Sequence, residues 1–334
     1  MTRSRDVSLG FSFDEPELEE RVRRGVEAVE ARLAAAVDSP DAFIAEAAAH
    51  LVNAGGKRFR PLLVVLAAQL GDADHPDVVP SALVVELTHL ATLYHDDVMD
   101  EAPLRRGAPS ANDRWGNSLA ILVGDYLFAQ ASELVSTLGT EAVRIQAETF
   151  SRLVRGQIRE TVGPAEGEDA LQHYLDVVAD KTGSLIATSA RFGARASRAG
   201  DDVEAALTEF GERIGVAFQL SDDVLDIASD SDDSGKTPGT DLREGVPTLP
   251  TLLALRGDDP ADAQLRERLS GPIEDETVVA EVLAALRVHP AMAQARAYVQ
   301  AEADAARALL ADLPDVPARR ALEALCDSLA DRVA

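Results

Sequence analysis

Two five-residue stretches nearly repeat each other, and each carries three aspartates. They are DDVMD at 96–100, the first aspartate cluster, and DDVLD at 222–226, the second. On a helix, residues four apart share a face with Cβ atoms about 5–6 Å apart, so the outer aspartates of each cluster form a pair. Such carboxylates oppose the dipole at a helix C-terminus, and a divalent cation would offset that cost. Because Mg²⁺ typically binds one or two carboxylates plus phosphates, the sequence predicts Mg²⁺ and a diphosphate between two facing clusters.

Basic residues stand close to both clusters in the sequence. Only three of the 32 basic residues are lysine, namely Lys57, Lys181 and Lys236. A lysine retained against such a bias suits a place where a compact ammonium is needed. Lys57 lies in GGKRFRP, just before an apolar helix, and helix N-termini and arginine side chains bind phosphate oxygens. These segments therefore predict phosphate binding beside the aspartates.

Helical periodicity runs through nearly the whole chain. The sequence predicts helices at Glu17–Val37, Ala42–Ala54, from Pro61 onward, Pro80–Asp100, Ser118–Leu138, Thr140–Glu160, Asp169–Ala199 with a kink near Gly183, and Asp201–Ser229, then five more from Leu249 to Val333. Polar loops are expected at Glu101–Asn117 and Asp230–Gly239. No strand pattern or long linker appears, so we expect one all-α domain over residues 1–334, flexible up to about residue 15.

Composition excludes several classes of protein. The net charge is −26, which repels nucleic acid. The single cysteine, Cys326, excludes a disulfide framework and fits a reducing cytoplasm. The N-terminus has no apolar signal region, and the longest apolar run, Pro61–Leu70, is far shorter than the roughly 20 residues that span a bilayer. We therefore expect a cytoplasmic protein with no integral membrane segment.

Six motifs occur in a fixed order between residues 55 and 245. They are GGKRFRP, HDDVMDEAPLRRG, GQIRE, KTG, FQLSDDVLD and GKTPGTDLREG. In this order the set resembles the trans-prenyl diphosphate synthases of the polyprenyl synthetase family. The resemblance implies an isoprenoid-synthase helical bundle around a central apolar cavity, assembled as a homodimer.

The resemblance also implies a reaction and residue roles. Isopentenyl diphosphate would condense head-to-tail (1'-4, trans) with an allylic prenyl diphosphate, with three Mg²⁺ ions per active site. The metal-binding positions would be Asp96, Asp97, Asp100, Asp222, Asp223 and Asp226. Isopentenyl diphosphate would contact Lys57, Arg60, His89 and Arg106, and the allylic diphosphate would contact Arg105, Lys181, Thr182, Gln219 and Lys236. Among these, Arg105, Lys181 and Lys236 would assist departure of the diphosphate. Val246 stands where many members carry a lysine.

The product length is expected to depend on the face of the helix below Asp96. Thr92, Ala91 and Thr88 lie on that face and are all small, and one helix turn of about 5.4 Å matches roughly one isoprene unit. Shorter-chain members are expected to carry an aromatic residue near position 91 or 92. The sequence therefore predicts a product longer than geranylgeranyl diphosphate, of the kind used as a quinone side chain, unless Tyr126, Phe128 or Phe150 closes the tunnel.

Four alternatives remain open from the sequence. The nearest is a synthase of geranylgeranyl or shorter diphosphates. A terpene cyclase is disfavoured because its second metal motif usually mixes Asn or Asp with Ser or Thr and Glu. A non-catalytic synthase subunit usually lacks one aspartate cluster, and both clusters are complete here. A simple cation-buffering acidic protein would bind Mg²⁺ without any dependence on diphosphate.

Overall fold

The computed structural model describes residues 13, 15–229 and 238–333, and most of this part of the chain is helical. Its helices are α1 (Pro16–Ala36), α2 (Ala42–Asn53), α3 (Phe59–Ala68), α4 (Val78–Met99), α5 (Ala111–Trp115), α6 (Asn117–Ser136), α7 (Thr140–Val162), α8 (Ala170–Val178), α9 (Ser184–Ala196), α10 (Asp201–Ala228), α11 (Thr240–Glu244), α12 (Leu249–Arg256), α13 (Ala263–Arg268), α14 (Glu276–Val288), α15 (Pro290–Leu309) and α16 (Pro317–Asp331). A π-helical turn covers Ala179–Gly183 and a 3-10 turn covers Pro260–Asp262. The prediction of an all-α fold is confirmed.

The structure refines three predicted boundaries. The helix expected from Pro61 begins at Phe59, because Arg58 takes the cap position with a left-handed φ of 48°. The loop expected at Glu101–Asn117 contains α5 and a two-residue hairpin, β1 (Leu104–Arg105) paired antiparallel with β2 (Ala108–Pro109). The kink expected near Gly183 is present as the π-helical turn.

The described chain divides into two compact units. The first unit comprises the chain up to Phe150 together with Leu185–Gly211 and Asp312–Ala324. The second comprises Ser151–Ser184, Glu212–Ala311 and the chain from Leu325 onward. Helices α7, α10 and α16 contribute residues to both units. The expectation of one domain over residues 1–334 is tested by none of these observations and stays a prediction.

Helix α4 is the centre of the first unit. It packs against α1, α3 and α6, and side chains on most of its faces are buried, as its apolar sequence predicts. Helix α6 is long and apolar enough to cross a membrane by length and composition alone. In the structure α6 instead packs along α4 through a stripe of small and apolar side chains that includes Val123, Gly124 and Leu127. This packing fixes the end of α4 that carries the first aspartate cluster.

The second unit is built around the C-terminal half of α10. Leu220, Val224 and Ile227 on α10 belong to one buried cluster with residues of α12, α14 and α15. These three side chains recur with helical spacing, so they fix one face of α10 inside the core. The acidic side chains at the same end of α10 are thereby turned to the other faces.

Candidate active site

The first aspartate cluster places its middle aspartate inside the protein. Asp97 is fully buried, and Arg105 donates from Nε to Asp97 Oδ1 at 2.5 Å. Burial raises the pKa of Asp97, and the Arg105 guanidinium opposes that shift. The Arg105 Nη2 atom also lies 3.9 Å from Asp100 Oδ2. Asp100 is exposed and Asp96 is half-buried, so the outer pair can be reached from outside.

The second aspartate cluster repeats this arrangement with different partners. Asp223 is buried, and both its oxygens accept hydrogen bonds, Oδ2 from the Tyr174 hydroxyl and Oδ1 from Gln219 Nε2 at 2.9 Å. Burial raises the pKa of Asp223 to about 6, and the two hydrogen bonds limit the rise. Thr182 in turn donates to Gln219 Oε1 at 3.1 Å. The side chain of Asp223 is therefore buried with both oxygens hydrogen-bonded to protein groups.

The outer aspartates of the second cluster are half-buried. Asp222 Oδ1 accepts a hydrogen bond from Arg332 Nη2 at 3.0 Å, and the same guanidinium lies 5.7 Å from the Phe218 ring centre. Asp226 accepts from the backbone amides of Thr240 and Asp241 at 3.3 and 3.4 Å. Both carboxylates thus have partners that stabilise their charge.

The donor set at both helix ends suits Mg²⁺ when a phosphate supplies further ligands. Each cluster offers two reachable carboxylates one turn apart, which is the number of protein ligands that Mg²⁺ commonly takes beside substrate phosphates. Among the described residues no group of three or more His, Cys, Asp or Glu side chains forms a closed metal cage. The two reachable carboxylates of each cluster fit a metal that shares its coordination with a diphosphate.

A cationic pocket lies in the first unit, formed by the half-buried side chains of Arg60, His89 and Arg106. Burial lowers the pKa of Arg60 to about 10, with a further contribution from Arg106. The Arg60 Nε atom is buried without a hydrogen-bond partner in the described part of the chain. Burial and the nearby arginines lower the pKa of His89 well below its usual 6.5, so the imidazole is neutral. An anion would offset the cost of burying these cations.

Two basic residues of the GGKRFRP motif, Arg58 and Lys57, have different roles. Arg58 is buried and donates to Glu86 at 2.8 Å, to the Val52 carbonyl at 3.0 Å and to Glu30. Arg58 therefore has a structural role, whereas Lys57 is exposed and can contact a ligand. Gly56 has a φ of 147°, and a Cβ there would lie 2.9 Å from the Arg106 guanidinium. Glycine is required at this position because the cationic pocket packs against its backbone.

Of the two lysines predicted to contact the allylic diphosphate, the structure describes one. Lys181 lies in the π-helical turn, where its ammonium donates to Glu160. Lys236 lies outside the described residues. Val246 is exposed, and its amide donates to the Asp241 carbonyl at 2.9 Å.

The residues expected to set product length line one buried region of the first unit. Ala91 and Thr88 are fully buried, and Thr92 donates to the His89 carbonyl at 2.8 Å. Gln146 on α7 donates to Thr88 Oγ1 at 2.6 Å, and sequence reasoning missed it because a lone glutamine on an amphipathic helix carries no local signal. Phe150, one turn after Gln146, is 4.3 Å from Phe128 between ring centres. Both of these aromatic side chains stand on helices that neighbour this region.

Other side chains near the first cluster are structural. The Tyr94 hydroxyl donates to the Ala47 carbonyl at 2.5 Å, so this ring points toward α2 and away from the face of Asp96. His95 Nε2 lies 3.1 Å from the Ile121 carbonyl oxygen, and its ring lies against Gly124, where a Cβ would approach it to 2.2 Å. His95 is thus a packing neighbour of the cluster.

Comparison with known proteins identifies the family. The Polyprenyl synthetase family model matches residues 41–286. The chain is 51% identical over 327 residues to a nonaprenyl diphosphate synthase of Mycobacterium tuberculosis, covering 98% of each. It is 45% identical over 322 residues to a dimethylallyltranstransferase of the same organism, covering 96% of this chain and 97% of the relative.

A solved structure agrees with these matches. It is a geranylgeranyl pyrophosphate synthase from Corynebacterium glutamicum, complexed with calcium and isoprenyl diphosphate, with a TM-score of 0.86 at 46% identity, covering 97% of this chain and 99% of that one. The resemblance inferred from the six motifs is confirmed. The chain belongs to the polyprenyl synthetase family of Mg²⁺-dependent prenyltransferases, which condense isopentenyl diphosphate with an allylic diphosphate.

Proposed function

We propose that this enzyme makes a long-chain all-trans polyprenyl diphosphate, for use as a quinone side chain, from isopentenyl diphosphate and an allylic primer. The observation that carries the proposal is the shared design of the two aspartate clusters, in which the middle aspartate is held by the protein and the outer pair is reachable. The 51% identity to a nonaprenyl diphosphate synthase supports the long product.

The outer aspartates hold the metal ions in this proposal. Asp96 and Asp100 would hold Mg²⁺ on the allylic diphosphate, and Asp222 and Asp226 would hold the remaining ion of a set of three. Asp97 and Asp223 position the pairs from inside rather than ligating, because their oxygens are turned into the protein. When bound, Mg²⁺ neutralises the charge that develops on the leaving diphosphate.

Isopentenyl diphosphate binds the cationic pocket of Arg60, His89 and Arg106, with Lys57 at its exposed edge. Its negative oxygens would provide the missing partner for Arg60 Nε and offset the buried positive charge. The neutral His89 can donate one N–H to a phosphate oxygen without adding another charge. This explains why a histidine, rather than a third arginine, stands among these bases.

Departure of the allylic diphosphate requires fixed positive charge and hydrogen-bond donors. Arg105, Lys181 and Lys236 supply the charge, and Thr182 and Gln219 hold the second aspartate cluster beside it. The carbocation left behind is attacked by the isopentenyl double bond, and the proton then lost goes to the departed diphosphate. The reaction needs no protein nucleophile.

A geranylgeranyl diphosphate synthase is the second candidate. It is favoured by the 46% identity to the solved geranylgeranyl pyrophosphate synthase. The absence of an aromatic side chain at Ala91 and Thr92 argues for the longer product. Phe128 and Phe150 are the side chains that would support the shorter one.

One experiment tests the proposed function. Purified protein is incubated with Mg²⁺, labelled isopentenyl diphosphate and, in separate reactions, allylic primers of increasing length. The products are dephosphorylated and sized by chromatography. Long products that disappear with EDTA or in Asp96→Ala support the proposal. A product that stops at geranylgeranyl supports the second candidate, and failure to condense any primer overturns both.

We further propose that the enzyme is a cytoplasmic homodimer. The side chains of Ile121 and Leu122 on α6 are 43% and 60% exposed, which is unusual for large apolar residues on a long helix. A second copy of the chain would cover them.

A further inference from the structure

One π-helical turn interrupts the helical path from Ala170 to Ala196. It spans Ala179–Gly183 and contains Lys181 and Thr182. A π turn inserts one residue, so it rotates everything after it by about 100° relative to a continuous α-helix. Single π turns are rare and concentrate at functional sites. The direction in which Lys181 and Thr182 project therefore depends on whether this turn is kept.

A carboxylate inside the turn is clamped by two arginines of α7. Asp180 Oδ1 accepts from Arg152 Nε at 3.0 Å, and Arg155 donates to Oδ2 at 2.8 Å and to Oδ1 at 3.1 Å. The Asp180 side chain is only 12% exposed. Burial alone would raise the pKa of Asp180, but the hydrogen bonds from the two arginines outweigh it and lower the pKa. Asp180 is thus held as a charged group in one place.

The backbone of α7 touches the same turn. A Cβ on Gly156 would lie 2.7 Å from the Lys181 amide nitrogen and 3.1 Å from Asp180 Cβ. Arg152 also donates to the Ala179 carbonyl at 3.3 Å and to Glu212 Oε2 on α10 at 3.0 Å. The turn is therefore fixed from the side of α7 by both charge and close backbone contact.

We propose that Asp180, clamped by Arg152 and Arg155, is a positioning residue for the allylic diphosphate. The clamp keeps the turn π-helical and so fixes where Lys181 and Thr182 project. This inference rests on the proposed function of those two residues. If the clamp is lost, the segment can relax to a continuous α-helix and carry both side chains away from the diphosphate.

Two mild variants test the clamp. Asp180→Asn removes the charge with little change in size, and Arg155→Gln removes one arginine whose side chain is 57% exposed. Arg144→Gln is the matched control, because Arg144 is on the same helix, is 51% exposed and also pairs with carboxylates. KM and kcat are measured for both substrates, together with the melting temperature.

The clamp variants should raise KM for the allylic primer about tenfold, while KM for isopentenyl diphosphate changes less than about twofold. Arg144→Gln should match the wild type. A merely stabilising role would lower the melting temperature and leave the ratio of the two KM values unchanged. That result would overturn the inference even though the wild type condenses its substrates.

Hydrogen exchange without substrate separates this inference from the proposed function. In Asp180→Asn, the exchange rates of peptide amides at 180–184 should differ from those of the wild type, because their hydrogen-bond partners change when the π turn is lost. Unchanged exchange at 180–184 overturns the clamp whether or not the protein is active. Failure of the wild type to condense any primer would overturn the proposed function instead.

Discussion

At the scale of single residues, His89 combines burial with neighbouring positive charge. Because its pKa in the folded protein is well below 6.5, the unfolded chain takes up the extra proton first as the pH falls. The stability that neutral His89 contributes is complete above about pH 6.5 and is lost as the pH falls toward its folded pKa, by up to about 1.4 kcal/mol per pH unit. Urea unfolding at pH 7.5 and about 5.5 should show a steeper loss in the wild type than in His89→Gln. Parallel losses would contradict this assignment.

Arg332 pairs with Asp222, so we expect its guanidinium to compete with a metal ion for this carboxylate. The two side chains are 29% and 36% exposed, and such partly exposed ion pairs contribute up to about 1 kcal/mol. We therefore expect Arg332→Gln to bind Mn²⁺ up to about fivefold more tightly without substrate, as measured by electron paramagnetic resonance. Arg319→Gln is the control, because Arg319 lies on α16, the helix that ends one residue before Arg332, and is paired with Glu323. Equal Mn²⁺ affinity in the wild type and Arg332→Gln would show that the guanidinium does not shield this carboxylate.

The residue types of the site could be read from the sequence, but their partners could not. The four-residue spacing predicted which aspartates pair, since it depends only on the helix. Tyr174 and Arg332 lie 49 and 110 positions from the aspartates that they contact, so no local pattern marks them. Arg58 is the opposite case, because it stands inside a phosphate-binding motif and yet is buried in ion pairs.

At the scale of elements, α4 carries both the first aspartate cluster and the face proposed to set product length. Ala91 is fully buried on this helix, so a larger side chain must enter the space beside it. Ala91→Phe should shorten the product by at least one isoprene unit, because one helix turn and one isoprene unit are both about 5 Å long. Chromatography of the dephosphorylated products measures the change. Ala91→Val adds less volume and should shift the distribution less.

An unchanged product from Ala91→Phe would place the end of the tunnel elsewhere. The hydrogen bond from Gln146 to Thr88 and the contact between Phe128 and Phe150 are then the structural candidates. Gln146→Ala, which empties volume opposite Thr88, would distinguish them by lengthening the product.

Helix positions followed from periodicity, while their exact ends depended on local conformation. The break near Gly183 was predicted as a kink, but the sequence did not show that it is a π turn or that Asp180 in this turn contacts Arg152 and Arg155. The helix expected from Pro61 begins at Phe59, because Arg58 adopts a left-handed conformation that allows its side chain to reach Glu86. The start of α3 is thus set beside the ion pair of Arg58 with Glu86, two residues before Pro61, where the sequence had placed it.

At the scale of the whole molecule, α6 has an apolar sequence but is only partly buried. It is apolar enough to pass for a membrane span, yet only 33% of its most apolar window is buried. The stripe facing α4 accounts for the buried third. Ile121 and Leu122 are left on the outer side, where water contact is unfavourable.

A second copy of the chain is the expected cover for this face of α6. Light scattering coupled to size-exclusion chromatography should find a dimer for the wild type. Leu122→Glu should shift it toward the monomer, because an interface that forms would have to bury an unpaired charge, which costs several kcal/mol. The matched control is Val288→Glu on α14, since Val288 is 85% exposed and apolar but belongs to the other unit. A wild-type monomer, or a Leu122→Glu variant that remains dimeric, would show that α6 is not the interface.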